Sequence, residues 1–208
     1  MTDSVANLTP SDQPAESMVS ITQSMDAHLA MMQELKAQFG EIEQVANLII
    51  DALKSGAKVL LCGNGGSAAD AQHIAAEIIG RFEVERAAFP AIALTTDTSI
   101  LTAVGNDYGF DQIFSRQVAG LGQAGDVLMA YSTSGNSANV LAAVQVAQSL
   151  GVKVVSLTGQ GGGALKDLSD IWLGAPSSVT ARVQEAHGFI GHVICQLIDA
   201  ALKNHERP

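Results

Sequence analysis

The hydrophobic positions in the first quarter of the chain follow the period of an α-helix. Within residues 17–55 the apolar side chains recur at helical spacing at Ile42, Val45, Leu48, Ile49, Ala52 and Leu53. Gly56 ends this pattern, and Gly40 interrupts it. We therefore predict an N-terminal helical hairpin that divides at Gly40.

After residue 57 the pattern changes to short apolar runs that are bounded by Gly, Ser, Thr or Asp. Five runs predict strands, at residues 58–62, 91–95, 126–132, 153–158 and 171–174. Helical periodicity returns at residues 67–79, 113–121, 136–150 and 180–203. Alternating strands and helices are typical of βα units. The sequence therefore predicts an α/β fold, a three-layer α/β/α doubly wound sandwich with about five parallel strands behind the N-terminal helices.

The length and composition favour one domain. The chain has 208 residues, 47% of them hydrophobic, which suffices for one sizeable core. We assign this domain to residues 17–208 and expect residues 1–16, which lack a basic and an apolar signal region, to form a flexible tail. No apolar stretch approaches the ~20 residues of a spanning helix, so we expect no membrane segment.

The charge of the chain bears on the ligands that it can bind, and its cysteine content bears on the compartment. The net charge is −10 and only 11 residues are Lys or Arg, which argues against a nucleic-acid surface. An anionic ligand must therefore be held by local groups. Cys62 and Cys195 are far apart in apolar surroundings, which is typical of reduced core thiols in the cytoplasm.

Two loops that follow predicted strands are rich in small hydrogen-bonding residues. The first loop is Gly63, Asn64, Gly65, Gly66 and Ser67, and the second loop is Ser132, Thr133, Ser134, Gly135, Asn136 and Ser137. Glycines allow a close backbone approach, and hydroxyl groups donate to phosphate oxygens without adding charge. Either loop alone could be an ordinary turn with a helix cap. Two of them at one sheet edge predict a phosphate site.

The first loop also fits a dinucleotide-binding pattern. Gly63, Gly65 and Ala68 satisfy G-x-G-x-x-A. Such a unit places an acidic residue about 20 residues further on, whereas Asp97 follows only after about 30 residues. The second loop has no role in that scheme, and the dinucleotide interpretation is therefore disfavoured.

The helix after the first loop carries His73 and Glu77, four residues apart and so on one face. An arbitrary pair at this spacing is usually a surface pair worth a few tenths of a kcal/mol. The neighbouring Ile74 and Ile78 indicate a largely buried helix, however, and this helix begins at the predicted phosphate site. That position favours a functional pair.

The last predicted helix carries Gln184, Glu185, His187 and His192. A lone histidine in such a helix is more often structural than catalytic. On a continuous helix Gln184 and His192 are ~12 Å apart along the axis and ~80° apart around it, so both cannot easily reach one ligand. Gln184 from one chain could join His192 from another, or the first turn could be unwound. We therefore predict an active site at a subunit interface.

Four motifs in this chain carry most of its candidate functional residues, namely GNGGSAADAQHIAAEIIGRF, VGNDYGF, STSGNS and VQEAHGFIGHVI. Together they resemble the phosphoheptose isomerases of the sugar isomerase (SIS) superfamily. The resemblance extends over about residues 58–202 and, more loosely, over the N-terminal helices. The loops indicate the superfamily, and the combination of H-x-x-x-E with Q-x-x-x-x-x-x-x-H indicates the heptose branch.

The resemblance implies an activity and a set of site residues. It implies isomerisation of sedoheptulose 7-phosphate to D-glycero-D-manno-heptose 7-phosphate through an enediol, the first step of nucleotide-activated heptose biosynthesis for lipopolysaccharide. Glu77 and His192 would transfer protons, and one zinc ion per subunit would be bound by His73, Glu77, Gln184 and His192. The substrate would contact Asn64, Gly65, Gly66, Ser67, Glu77, Asn106, Asp107, Ser132, Thr133, Ser134, Ser137 and Gln184. The family also implies a homotetramer, and the cysteine content places it in the cytoplasm.

Two other functions remain open on the sequence alone. The stretch RFEVERAAFPAIAL also resembles non-catalytic regulators that bind the replication initiator protein, and Glu77 and His192 discriminate against that function. An isomerase for a shorter sugar phosphate is the other alternative.

The chain departs from many family members at Ala181, where an Asp is common.

Overall fold

The computed structural model describes residues 13–205, with side chains from Met18 onward. The helices are α1 (Gln13–Leu35), α2 (Phe39–Lys54), α3 (Gly66–Ile79), α4 (Thr98–Tyr108), α5 (Ser115–Leu121), α6 (Ala138–Ser149), α7 (Gly163–Leu168) and α8 (Thr180–Leu202). The strands are β1 (Val59–Cys62), β2 (Ala91–Ala93), β3 (Val127–Tyr131), β4 (Lys153–Gly159) and β5 (Ile171–Ala175).

The five strands form one parallel sheet in the order β2-β1-β3-β4-β5. Leu61 of β1 pairs with Ala93 on one side and with Met129 on the other. The chain runs outward from β1 to β2 and then returns to β3 on the opposite side of β1. This reversal creates a switch point between β1 and β3, where open α/β sheets bind their ligands.

Both faces of the sheet are covered. Val59 and Leu61 point into a first apolar cluster that is shared with α2, α3 and α8. Leu60 and Cys62 point into a second cluster that is shared with α5, α6 and α7. Since side chains alternate along a strand, a sheet buried on both faces needs continuous apolar runs. The predicted α/β/α sandwich of five parallel strands is therefore confirmed.

The break between the first two helices lies before the predicted position. α1 ends at Leu35, a 3₁₀ turn spans Lys36–Gln38, and Gly40 already lies in the first turn of α2. Gln38 explains the position of the break, because its side-chain amide donates to the carbonyl of Gly174 and accepts from the N–H of Gly174. The division at Gly40 was therefore wrong by a few residues.

Two helices were not predicted from the sequence. α4 has no buried residue, so it lacks an apolar stripe, and the carboxylate of Asp97 caps it by accepting from the N–H of Ile100. α7 has six residues and begins at Gly163, the last of three consecutive glycines, where no helical periodicity marks it. α1 begins at Gln13, so residues 13–16 of the expected tail are helical, and residues 1–12 lie outside the described residues.

Both cysteines of the chain are buried. Cys62 and Cys195 are free thiols in the core, and burial raises the pKa of each to about 12. In the described part of the chain, every helix is too short or too polar to cross a membrane.

Candidate active site

Helices α3 and α8 pack side by side, and Gly191 sets how closely they approach. A Cβ atom at Gly191 would lie 2.4 Å from Cδ1 of Ile74, a distance that real Cβ atoms do not show. The absence of a side chain therefore lets α8 contact α3 at this level. Ile74 and Gly191 are the chain neighbours of His73 and His192, so the same contact brings the two imidazoles together.

His73, Glu77 and His192 form a compact cluster on these two helices. Nε2 of His73 is 2.8 Å from Nε2 of His192 and 3.6 Å from Oε1 of Glu77. One donor atom from each residue lies within 4.8 Å of the other two. The predicted proton-transfer pair, Glu77 and His192, therefore meets within one chain.

The donor set of this cluster fits a divalent metal ion. Two imidazoles and one carboxylate are ligand types that zinc prefers, and at Zn–N distances of ~2.0–2.1 Å two tetrahedral ligands are about 3.3 Å apart. The two Nε2 atoms are slightly closer than this, at 2.8 Å. At that distance Nε2 of one ring can donate a hydrogen bond to Nε2 of the other, and the same two atoms can instead bind one cation.

Gln184 lies at the other end of the α3–α8 contact. α8 is continuous from Thr180, so its first turn is not unwound under Gln184. A Cβ atom at Gly66 would lie 2.2 Å from Nε2 of Gln184, which shows that this side chain packs directly on the first loop. Gly66 precedes His73 by about 10 Å along α3. Within one chain, Gln184 therefore faces the first loop rather than the histidines.

An amide pair joins the first loop to α6. Nδ2 of Asn64 donates to Oδ1 of Asn139 at 2.8 Å, and Nδ2 of Asn139 donates back to Oδ1 of Asn64 at 2.9 Å. Asn139 is buried. Because the Asn64 amide is engaged in this pair, the loop presents mainly the backbone of Asn64, Gly65 and Gly66 to a ligand. The sequence interpretation missed Asn139, which lies two residues beyond the second loop.

The second loop gathers hydroxyl groups at the end of β3. Oγ of Ser132 is 2.8 Å from Oγ of Ser137 and 3.5 Å from Oγ of Ser134. Ser137 occupies the N-cap position of α6, but its side chain makes no capping hydrogen bond. Hydroxyls and the unpaired N–H groups of a helix start are a suitable environment for a phosphate. Thr133 is partly buried within this loop, and Ser67 is buried in the first loop.

Asn106 and Asp107 lie apart from the cluster. They are exposed in the last turn of α4, where Nδ2 of Asn106 donates to Oδ1 of Asp107 at 2.8 Å. α4 packs through Leu101 and Val104 on the second cluster, whereas α3 and α8 lie on the first. The structure therefore does not bring this pair to His73, Glu77 and His192 within one chain.

Asp70 is a polar residue near the site that the sequence interpretation missed. It lies one turn before His73 on α3, on the same side of the helix as Gly66 and Glu77. Burial raises its pKa to about 6, and the proximity of His73 opposes that shift. Its Oδ2 atom has no hydrogen-bond partner among the described residues.

Two further buried polar side chains lie behind the second loop. Nε2 of His187 donates to the carbonyl oxygen of Thr158 at 3.1 Å, and burial lowers the pKa of His187 to about 4. The ring of Tyr131 lies edge-on to His187 with centroids 5.8 Å apart. Within residues 13–205, neither Nδ1 of His187 nor the Tyr131 hydroxyl has a partner. His187 is therefore a neutral core residue rather than a member of the cluster.

A family model and several known proteins match this chain. A family model described as the SIS domain matches residues 23–159. The phosphoheptose isomerase of Campylobacter concisus is 54% identical over 183 residues, covering 88% of this chain and 97% of that protein. The phosphoheptose isomerase of Rhodospirillum rubrum is 55% identical over 161 residues, covering 77% and 86%.

Solved structures of phosphoheptose isomerases are also similar to this chain. A phosphoheptose isomerase from Neisseria gonorrhoeae superposes with a TM-score of 0.84 at 45% identity, covering 88% of this chain and 98% of that one. A phosphoheptose isomerase from Francisella tularensis superposes with a TM-score of 0.86 at 43% identity, with the same coverage.

Proposed function

The chain belongs to the phosphoheptose isomerase family of SIS-domain proteins, and from that membership we propose that it converts sedoheptulose 7-phosphate to D-glycero-D-manno-heptose 7-phosphate. One observation carries the proposal: Glu77 from α3 and His192 from α8 meet in one cluster, on the helix that begins at the first loop. The comparisons give no support to the alternative of a non-catalytic regulator.

The reaction needs a base and a group that moves protons between oxygens. Glu77 removes a proton from C1 of the ketose, which gives an enediol, and returns the proton to C2. His192 transfers the hydroxyl proton between O1 and O2. The proton count is therefore unchanged over the whole reaction.

We propose one Zn²⁺ per subunit. His73, Glu77 and His192 would hold it through the donor atoms described above, and the amide of Gln184 completes the proposed set. A bound zinc ion supplies Lewis-acid polarisation of the substrate carbonyl. A glutamine is an unusual zinc ligand beside histidine, cysteine and carboxylate.

The substrate phosphate is assigned to the second loop, through Ser132, Thr133, Ser134 and Ser137. The sugar is assigned to Asn64, Gly65, Gly66 and Ser67 of the first loop, together with Glu77, Gln184, Asn106 and Asp107. The hydroxyl cluster at the end of β3 and the packing of Gln184 on Gly66 support this arrangement.

We propose a homotetramer with active sites at subunit interfaces. Within one chain Gln184 lies away from the histidines, and the Asn106–Asp107 pair lies on the other face of the sheet, so a neighbouring chain would bring such groups to the cluster. α1 supports the proposal because a row of its apolar side chains is more than half exposed, at Met18, Ile21, Met25 and Leu29. Apolar surface of this kind is typical of a protein interface.

We further propose that residues 17–208 act as one domain in the cytoplasm and that the product enters lipopolysaccharide biosynthesis. Both cysteines are buried and unpaired, which is typical of a cytoplasmic location.

The test is direct turnover. Purified protein is incubated with sedoheptulose 7-phosphate, with and without added zinc, and the aldoheptose phosphate is detected by NMR. Glu77→Gln should remove most turnover while the melting temperature and phosphate binding persist. Glu85→Gln, the same change at a side chain that is 89% exposed, is the control and should retain activity.

Two results would contradict the proposal. No turnover under either condition would favour the regulator. A parallel loss of melting temperature and activity in Glu77→Gln would give Glu77 a structural role instead of a catalytic one.

A further inference from the structure

Residues 80–90 connect α3 to β2 without forming a helix or strand, and one carboxylate organises this connecting segment. Oδ2 of Asp199, near the end of α8, accepts from three successive backbone N–H groups. The donors are Phe82 at 3.2 Å, Glu83 at 2.7 Å and Val84 at 2.9 Å. Consecutive N–H groups that converge on one anion fix the backbone that carries them.

Arg86 holds the same segment against the end of α3. Its Nε donates to Oδ1 of Asp199 at 2.6 Å, its Nη1 donates to the carbonyl of Ile78 at 2.9 Å, and its Nη2 donates to the carbonyl of Glu77 at 2.9 Å. Both charged side chains are essentially inaccessible to solvent, with exposures of 0% and 1%. The segment is therefore tied to the backbone of Glu77 itself.

The pKa of Asp199 agrees with a carboxylate that is held in place as an anion. Burial alone would raise the pKa of this carboxyl group, but the hydrogen bonds from Val84, Glu83 and Arg86 outweigh burial and hold its pKa below the ordinary value. Both oxygens are engaged by donors. A buried ion pair that is fully hydrogen-bonded resists rearrangement, since loss of one partner leaves an uncompensated charge.

This anchored segment places an aromatic ring on His192. The ring of Phe82 stacks on the imidazole of His192 with centroids 5.2 Å apart and an interplanar angle of 25°. His73 meets the same imidazole edge-on, with centroids 5.0 Å apart. A stacked ring on one side and a polar contact at Nε2 together restrict the side-chain torsions of His192.

We propose that Phe82 is a positioning residue for His192, and that the Arg86–Asp199 pair fixes Phe82 for this role. The proposal deepens the proposed isomerase function and rests on it. Phe82 acts through the imidazole, which transfers the hydroxyl proton between O1 and O2, whereas the substrate phosphate is assigned to the second loop. Loss of the ring should therefore lower kcat and leave KM nearly unchanged.

The kinetic test compares three variants with the wild-type enzyme. Phe82→Leu should lower kcat about 10-fold or more with KM within about twofold, because small misplacements of a reacting group are costly. Phe82→Tyr keeps the ring and should restore kcat. Val84→Ala changes an exposed side chain of the same segment and should match the wild type in both constants.

A second measurement reads the imidazole directly and does not depend on turnover. The protein has five histidines, so Cε1 labelling with ¹³C gives few NMR signals, and His192→Gln assigns the relevant one. In the wild type, the Phe82 ring current should shift the His192 signal upfield. Phe82→Leu should remove that shift and broaden the signal, and Phe82→Tyr should return it.

The outcomes separate the two proposals. A wild-type protein that does not convert sedoheptulose 7-phosphate refutes the proposed function, and the NMR comparison still decides the role of Phe82. A His192 signal that is unchanged in Phe82→Leu overturns the positioning role. So does an active wild type whose kcat is unaffected by Phe82→Leu, or a Phe82→Tyr variant that is as impaired as Phe82→Leu.

Discussion

Acidification should destabilise the fold through His187, whose imidazole is completely buried in α8. Burial lowers its pKa from 6.5 to about 4, and the hydrogen bond to the carbonyl of Thr158 opposes this shift. Protonation would place a charge in the apolar interior between α8 and the sheet. The folded state therefore favours the neutral ring.

The difference between the pKa of His187 in the folded chain and in the unfolded chain sets the sign and size of the stability change. Between pH 4 and pH 6.5 the unfolded chain binds a proton at His187 and the folded chain does not, so stability is complete above pH 6.5 and falls as the pH drops through this window. At about 1.4 kcal/mol per pKa unit the total loss is about 3 kcal/mol, of which about 2 kcal/mol is lost by pH 5.

Urea unfolding of the wild type and of His187→Gln at pH 7 and pH 5 would measure this loss. Glutamine retains an N–H group that can reach the Thr158 carbonyl, but it does not titrate. The wild type should lose about 2 kcal/mol more than the variant between the two pH values. Protein concentration must be held constant, because the proposed subunit association would contribute to apparent stability.

A matched variant separates His187 from the other titrating groups. His187→Gln keeps every other titrating group of the wild type, so the difference in stability between the two proteins reports His187 alone. If the wild type and His187→Gln lose the same stability between pH 7 and pH 5, His187 does not carry the linkage, and its assignment as a neutral core residue is wrong.

Three further outcomes are expected. Ser134→Ala should raise KM more than it lowers kcat in steady-state kinetics, and a pure turnover defect would remove Ser134 from the phosphate role. Asn139→Ala should lower the free energy of unfolding by about 1–3 kcal/mol, because it leaves the amide of Asn64 without its partner, and an unchanged unfolding curve would contradict the amide pair. A chelator should abolish activity and added Zn²⁺ should restore it if His73 and His192 bind the metal, whereas activity that persists in the chelator would speak against a metal role.

Much of the fold could be predicted because its signals are local. Buried strands such as β1 and β3 are continuous apolar runs, and the loops that follow them are marked by glycine and hydroxyl residues. The spacing of His73 and Glu77 placed both side chains on one face of a helix. α4 was missed because it has no buried residue and so no periodic apolar stripe.

The parts of the site that sequence reasoning missed depend on contacts between distant residues. Asn64 and Asn139 are 75 residues apart, and Arg86 and Asp199 are 113 residues apart. No local pattern relates the members of either pair. Similarly, helical spacing separated Gln184 from His192 correctly, but the packing of Gln184 on Gly66 could be seen only once α3 and α8 were placed together.

The two loops at the switch point contain no lysine or arginine. Hydroxyl and amide donors do not ionise near neutral pH, so the two loops keep the same hydrogen-bond donors over the whole physiological range. A phosphate monoester does change charge there, with its second ionisation near pH ~6. Any pH dependence that arises from the two loops and the phosphate alone would thus come from the phosphate, because the loop donors do not titrate.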